Sequence, residues 1–199
     1  MFTRKLNLQK WQIVNYSTLI IASLFVLILI FNGINELSMR IAIRATARTS
    51  CLLFLLFFVA NTIKRIRTNQ LTNWLFINRR YFLFSLAVSH GFHALAIIGL
   101  VIFSSPEILH NNHGGNLGYI FLIAMTATSF QTTASWLGHR SWQILHTVGM
   151  YYLWLAFIYS FIGRLGESLI IYLPFVSLLV IAIAIKLFLF FKKPSNINL

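Results

Sequence analysis

Three histidines lie inside long apolar runs, His90 and His93 in the run from 81 to 103 and His146 in the run from 142 to 162. An ionisable side chain in hydrocarbon is costly unless it is partnered, so these residues are the first candidates for chemistry. His90 and His93 are three positions apart, which puts them about 60° apart around a helix and on a shared face. Neutral imidazole is the usual axial ligand of haem iron, and a helical bundle supplies the dry slot that a porphyrin needs. Two other uses stay open on the same pattern, an interhelical hydrogen bond and a proton relay.

Haem propionates call for cations at the end of such a slot. Arg44 and Arg48 share one helix face, and Arg79 and Arg80 precede the run that carries His90 and His93. All four also suit a plainer role, since arginines at span ends reach the headgroups and set topology. The segment from 104 to 116 holds Glu107, His110 and His113 at spacing three and three, a pattern that fits either a transition-metal site or a solvated turn-rich loop. Tyr151, Tyr152, Trp154, Tyr159 and Tyr172 near the last two runs fit interfaces and packing, with electron relay as the minor reading. Cys51 is the only cysteine, which excludes an intrachain disulfide and any cysteine-based iron–sulfur cluster.

The elements that must position these side chains follow from composition. The 199 residues are 58% hydrophobic and include three acids, Glu36, Glu107 and Glu167, too few for the charged shell of a soluble domain. The expected fold class is therefore an all-α integral membrane protein, a single transmembrane domain over residues 1–199. A span needs roughly 20 residues, and six segments meet that length: 13–31, 45–63, 81–103, 117–134, 142–162 and 169–191. Arg4, Lys5 and Lys10 precede the first run, but its length and the lack of a small-residue cleavage pattern read as a retained span. The net charge of +13 is clustered between apolar runs, which argues for topology and against nucleic acid. Counted by alternate sides, Lys and Arg divide twelve against four, which predicts both termini in the cytoplasm of an inner-membrane protein.

No phosphate-binding glycine loop, dinucleotide fingerprint or sizeable extramembrane stretch is present, so no flavin or nicotinamide site is expected. No Gly/Pro-broken pair of spans supports an inverted-repeat transporter. With Arg80 and Arg140 as interface markers, His90 falls roughly 15 Å deep, His93 roughly 20 Å and His146 roughly 9 Å. On that ruler His90 with His146 is the easier pair of ligands for one iron.

Arg79-Arg80-Tyr81 leading to Ser89-His90-Gly91-Phe92-His93 resembles the third span of the ferric reductase-like transmembrane domain family. Within that family the likeness is to the haem-binding membrane subunit of bacterial methionine sulfoxide reductase systems. Thr128-Ser129, Leu137-Gly138 and Trp142-x-x-Leu145-His146 resemble the same family's fourth-to-fifth span junction, and Ala47-Arg48-Thr49 is a weaker match at the second span. The resemblance covers about residues 79–159. It implies a six-helix bundle that binds b-type haem and passes electrons from a cytoplasmic flavoprotein or quinol to an outer acceptor. By position, His93 and His146 match family ligands. The family's second fifth-span histidine falls at Tyr159, which turns a two-haem wire into an expected single haem held by His146 with His90 or His93. The same substitution supports an alternative, a haem-free membrane scaffold or assembly protein with this fold. A proton-linked transporter is a weaker third.

Overall fold

The computed structural model describes residues 8–104 and 113–191. Among them the structure is all-helical: α1 (Trp11–Asn32), α2 (Glu36–Ile66), α3 (Gln70–Phe103), α4 (His113–Ala127), α5 (Gln131–Leu137), α6 (His139–Ile162) and α7 (Leu169–Phe191). Five of these, α1, α2, α3, α6 and α7, are long and apolar enough to cross a membrane. Large apolar side chains such as Ile30, Phe31, Ile170 and Phe190 stand on the outer surface, as a lipid-facing exterior requires.

α2 and α3 extend well beyond their apolar runs. α2 starts at Glu36 because Asn35 accepts from the Ser38 amide while Ser38 Oγ accepts from the Asn35 amide. Asn69 and Thr72 close the same reciprocal box ahead of α3. Both helices thus carry a polar first stretch that hydropathy does not register. Arg40, Arg44 and Arg48 all lie within α2.

The expected fourth span, 117–134, is interrupted. α4 ends at Ala127, where Thr128 and Ser129 turn their hydroxyls back onto the Ala124 and Met125 carbonyls. Phe130 is extended and the short α5 follows. Gly138 then takes φ +76, a left-handed value that suits glycine, and turns the chain into α6. At 15 residues α4 is about 22 Å long.

Side-chain contacts fix the directions of the helices. Met39 meets Gly99, Thr46 meets His93 and Asn61 meets Arg79, so α2 and α3 are antiparallel. Ser17 bonds Ser85 and Phe25 packs on Phe92, so α1 runs with α3. α4 opposes α6, with Thr128 beside His146 and Gly118 beside Leu153. α7 opposes α6, with Phe175 on Phe161 and Lys186 on Met150. The start of α1, at Lys10 beside Asn78, and the end of α7, near Lys186 beside Phe58, lie at the same end of the bundle.

Lipid is as apolar as leucine, so helices in a membrane associate through close packing and hydrogen bonds rather than through water exclusion. The α2–α3 contact shows how. Ser38, Ala42, Thr46 and Ser50 recur every fourth residue and are almost fully buried. Ser50 and Thr46 face Ser89 of α3, and Ala42 clusters with Ala96, both also buried. Ser50 donates to Ser89 at 2.8 Å, and Thr49 lies 3.0 Å from the same hydroxyl. A second core of Phe54, Phe58, Phe157 and Phe161 joins α2 to α6, with the Phe54 ring 5.2 Å from Phe157. Such ring pairs contribute about 0.5–1.5 kcal/mol each.

Candidate functional site

α3 and α6 run in the same direction, and the histidines they carry fall into two groups at different depths. One group, nearer the end of the bundle that carries Lys10 and Lys186, is termed the inner group and centres on His146. α6 places it one turn past Trp142, whose indole lies 4.4 Å from the imidazole ring and donates to the Thr128 carbonyl. Thr128 Oγ1 is 3.1 Å from His146 Nε2. The Thr128 proton goes to the Ala124 carbonyl at 2.7 Å, so its oxygen accepts from Nε2–H and leaves Nδ1 with the lone pair.

His146 lines a cavity of about 690 Å³ between α2, α3, α6 and α7. Phe57, Phe58, Trp142 and Tyr151 supply aromatic wall, and Arg65, Arg79, Arg80 and Lys186 supply four cations with no carboxylate among the lining residues. Arg79 donates to Asn61 Oδ1 at 3.0 Å, and Arg80 bonds the Tyr81 hydroxyl at 3.1 Å. The Lys186 ammonium sits 4.0 Å from the Phe58 ring centre, 4.9 Å from that of Tyr151 and 3.3 Å from Met150 Sδ. In the sequence, Lys186 and Arg65 count only as topology markers. The signal that could have found this site is Lys186 itself, a lysine inside the apolar run 169–191.

The outer group contains His90 and His93, with ring centres 5.4 Å apart. His93 Nδ1 is 3.1 Å from the Ile43 carbonyl and 3.0 Å from Thr46 Oγ1. Donation to the carbonyl leaves Nε2 as the basic nitrogen, the arrangement that outer partners impose on metal-ligating histidines. His90 packs on Tyr119 and Phe157, and its buried Nδ1 has no hydrogen-bond partner.

These placements correct the depth ruler. His146 shares its cavity with Arg79, Arg80 and Leu83, whereas His90 packs on Phe157, eleven residues and about 16 Å further along α6. Arg80 and Arg140 are therefore not level, because α6 begins lower in the bundle than the apolar part of α3. The expected single iron shared by His146 with His90 or His93 does not fit this geometry.

The remaining expected site residues are scattered. Arg44 pairs with Glu167 at 3.4 Å, and Glu167 also meets Arg164 at 3.7 Å, all three partly exposed. Arg48 contacts the Tyr172 hydroxyl at 3.3 Å and lies over its ring, with Nε buried and unpartnered. Tyr159 is 81% exposed, on the outer face of α6 and not among the histidines. Glu107 and His110 lie outside the described residues, and His113 opens α4. Among the described residues no three His, Cys, Asp or Glu side chains gather as a metal cluster. In comparisons with known proteins, no family model, no curated protein and no solved structure matches the chain.

Proposed function

We propose that the chain is a membrane electron-transfer subunit that binds one b-type haem in the inner cavity. The observation that carries this reading is the donor set: one imidazole, His146, in an aromatic-walled cavity of about 690 Å³ rimmed by four cations and no acid. Haem b offers the complementary chemistry, an apolar macrocycle with two carboxylates and an iron that takes imidazole. When bound it supplies reversible one-electron transfer.

In this reading His146 would supply the imidazole that holds the iron. Holding iron through Nε2 would give up the Thr128 hydrogen bond, a loss of about 1 kcal/mol. Arg80, with Lys186 opposite, would hold the propionates. Trp142 and Phe58 would help to exclude water from the cavity. Arg44, Arg48, His90, His93 and Tyr159 fall outside this site. Six passes complete the proposed topology, with α4 as a short fourth crossing, since it runs opposite to both α3 and α6. The cation-rich end, which also carries both ends of the described chain, then faces the cytoplasm by the positive-inside rule. The donor in this scheme is a cytoplasmic flavoprotein or quinol, and the acceptor lies on the outer side.

The test is spectroscopic. Detergent-purified protein should show a b-type Soret band that shifts on dithionite reduction. His146→Ala should abolish it, and His93→Ala should leave it. The reverse pattern would move the site to the outer histidines and refute this assignment. A second reading, a haem-free membrane scaffold, is favoured by one observation: His93 already bonds a neighbouring helix and His146 the turn that follows α4, as structural histidines do. Stable, haem-free protein after expression with ample haem would decide for it.

A further inference from the structure

At the end of the bundle where α2 gives way to α3, a second concavity lies beside the inner cavity, formed by Asn61, Lys64, Arg65, Thr68, Phe76 and Arg79. Phe76 organises it. The Lys64 ammonium lies 3.8 Å from the centre of its ring and the Arg79 guanidinium carbon 4.5 Å from the same point. Two cations held on one ring repel each other, and cation–π attraction only partly offsets that. A counter-anion is the natural remedy, yet no carboxylate lines the concavity. The ion pairs among the described residues, Arg40–Glu36, Arg44–Glu167 and Arg164–Glu167, are all formed by residues of the opposite end of the bundle.

Neutral donors accompany the charges. Thr68 Oγ1 bonds the Lys64 carbonyl at 3.3 Å, a long contact that is easily exchanged. Arg79 spends one guanidinium nitrogen on Asn61 and keeps its other N–H groups for a partner. Ile66, Leu71 and Ile77 nearby are 55–65% exposed, so the charged concavity adjoins an apolar outer surface. A free phosphate would use only the charges, whereas a phospholipid would use both features at once.

We propose that this concavity binds the phosphodiester headgroup of an anionic phospholipid, with Lys64, Arg65 and Arg79 on the phosphate oxygens and the acyl chains along Ile66, Leu71 and Ile77. Basic pockets between helices at the cytoplasmic side of membrane proteins have the chemistry to recognise such lipids. The site goes beyond haem binding: it shares Asn61, Arg65, Phe76 and Arg79 with the lining of the inner cavity, whereas Lys64 and Thr68 belong to this concavity alone, so the test is placed on Lys64.

The test is native mass spectrometry of the full chain released from micelles containing equal phosphatidylglycerol and phosphatidylcholine. One phosphatidylglycerol should be retained per chain in preference to phosphatidylcholine. Lys64→Gln should lower that retention about fivefold, and Lys64→Arg should restore it. Arg140→Gln, an equal charge loss on the first turn of α6, should leave retention unchanged. Circular dichroism of each variant verifies that it is folded, and the Soret band reports separately on the inner cavity. Equal retention of both lipids, an equal loss in Arg140→Gln, or displacement of the lipid by millimolar inorganic phosphate would each overturn the proposal.

Discussion

Replacing Ser89 by alanine and by leucine separates the two forces that hold α2 against α3. Ser89 is fully buried and its hydroxyl is the hub of the ladder, 2.8 Å from Ser50, 3.0 Å from Thr49 and 3.4 Å from the Thr46 carbonyl. Hydrogen bonds between membrane helices average about 0.6 kcal/mol, and Ser50 can turn its proton back to its own helix, so Ser89→Ala should cost about 1 kcal/mol. Ser89→Leu removes the same bonds and puts a bulky side chain where Thr46 and Ser50 leave no room. Overpacking contributes about 1–3 kcal/mol more, with the helices forced apart and His93 drawn away from Thr46. The assay is reversible unfolding in mixed micelles, followed by circular dichroism, with the two variants measured side by side. If Ser89→Leu is no more destabilising than Ser89→Ala, the small-residue seam does not set the α2–α3 distance and the reasoning is refuted.

Three further perturbations probe other parts of the bundle. A Cβ on Gly149 would meet Met125 Sδ at 2.5 Å and Phe121 Cδ1 at 3.2 Å, so Gly149→Ile should destabilise by about 1–3 kcal/mol in the same unfolding assay and Gly149→Ala by less, since alanine regains helix propensity. Glu167→Gln removes both acidic contacts of Arg44 and Arg164, but the groups are half exposed, so the loss should stay below about 1 kcal/mol. Thr128→Val removes the hydroxyl that occupies His146 Nε2; haem content per chain should be retained or rise, and a loss of haem would show that Thr128 positions the ligand instead.

The sequence carried the helical class and most of the spans because the apolar runs are long and sharply bounded. The run 169–191 coincides with α7, and 13–31 and 142–162 fall within α1 and α6. What escaped it is polar. The Asn35/Ser38 and Asn69/Thr72 boxes lengthen α2 and α3 through hydrogen bonding that hydropathy does not weigh. Thr128 and Ser129 break the fourth run by capping Ala124 and Met125 from within. The histidines were legible as buried polar groups, but their mutual depth was not. That depends on how far α6 is displaced along α3, which only interhelical contacts such as His90 with Phe157 reveal. The surroundings of Lys186 are hidden for the same reason: its cage of Phe58, Tyr151 and Met150 is drawn from two other helices.

A single haem on His146 is tested most directly by the pyridine haemochrome ratio of haem to protein. Wild-type protein should give one b-type haem per chain. His146→Ala should give none, and the double variant His90→Ala, His93→Ala should still give one. A ratio of two, or a ratio that survives His146→Ala and falls with the outer pair, would contradict the single-haem assignment.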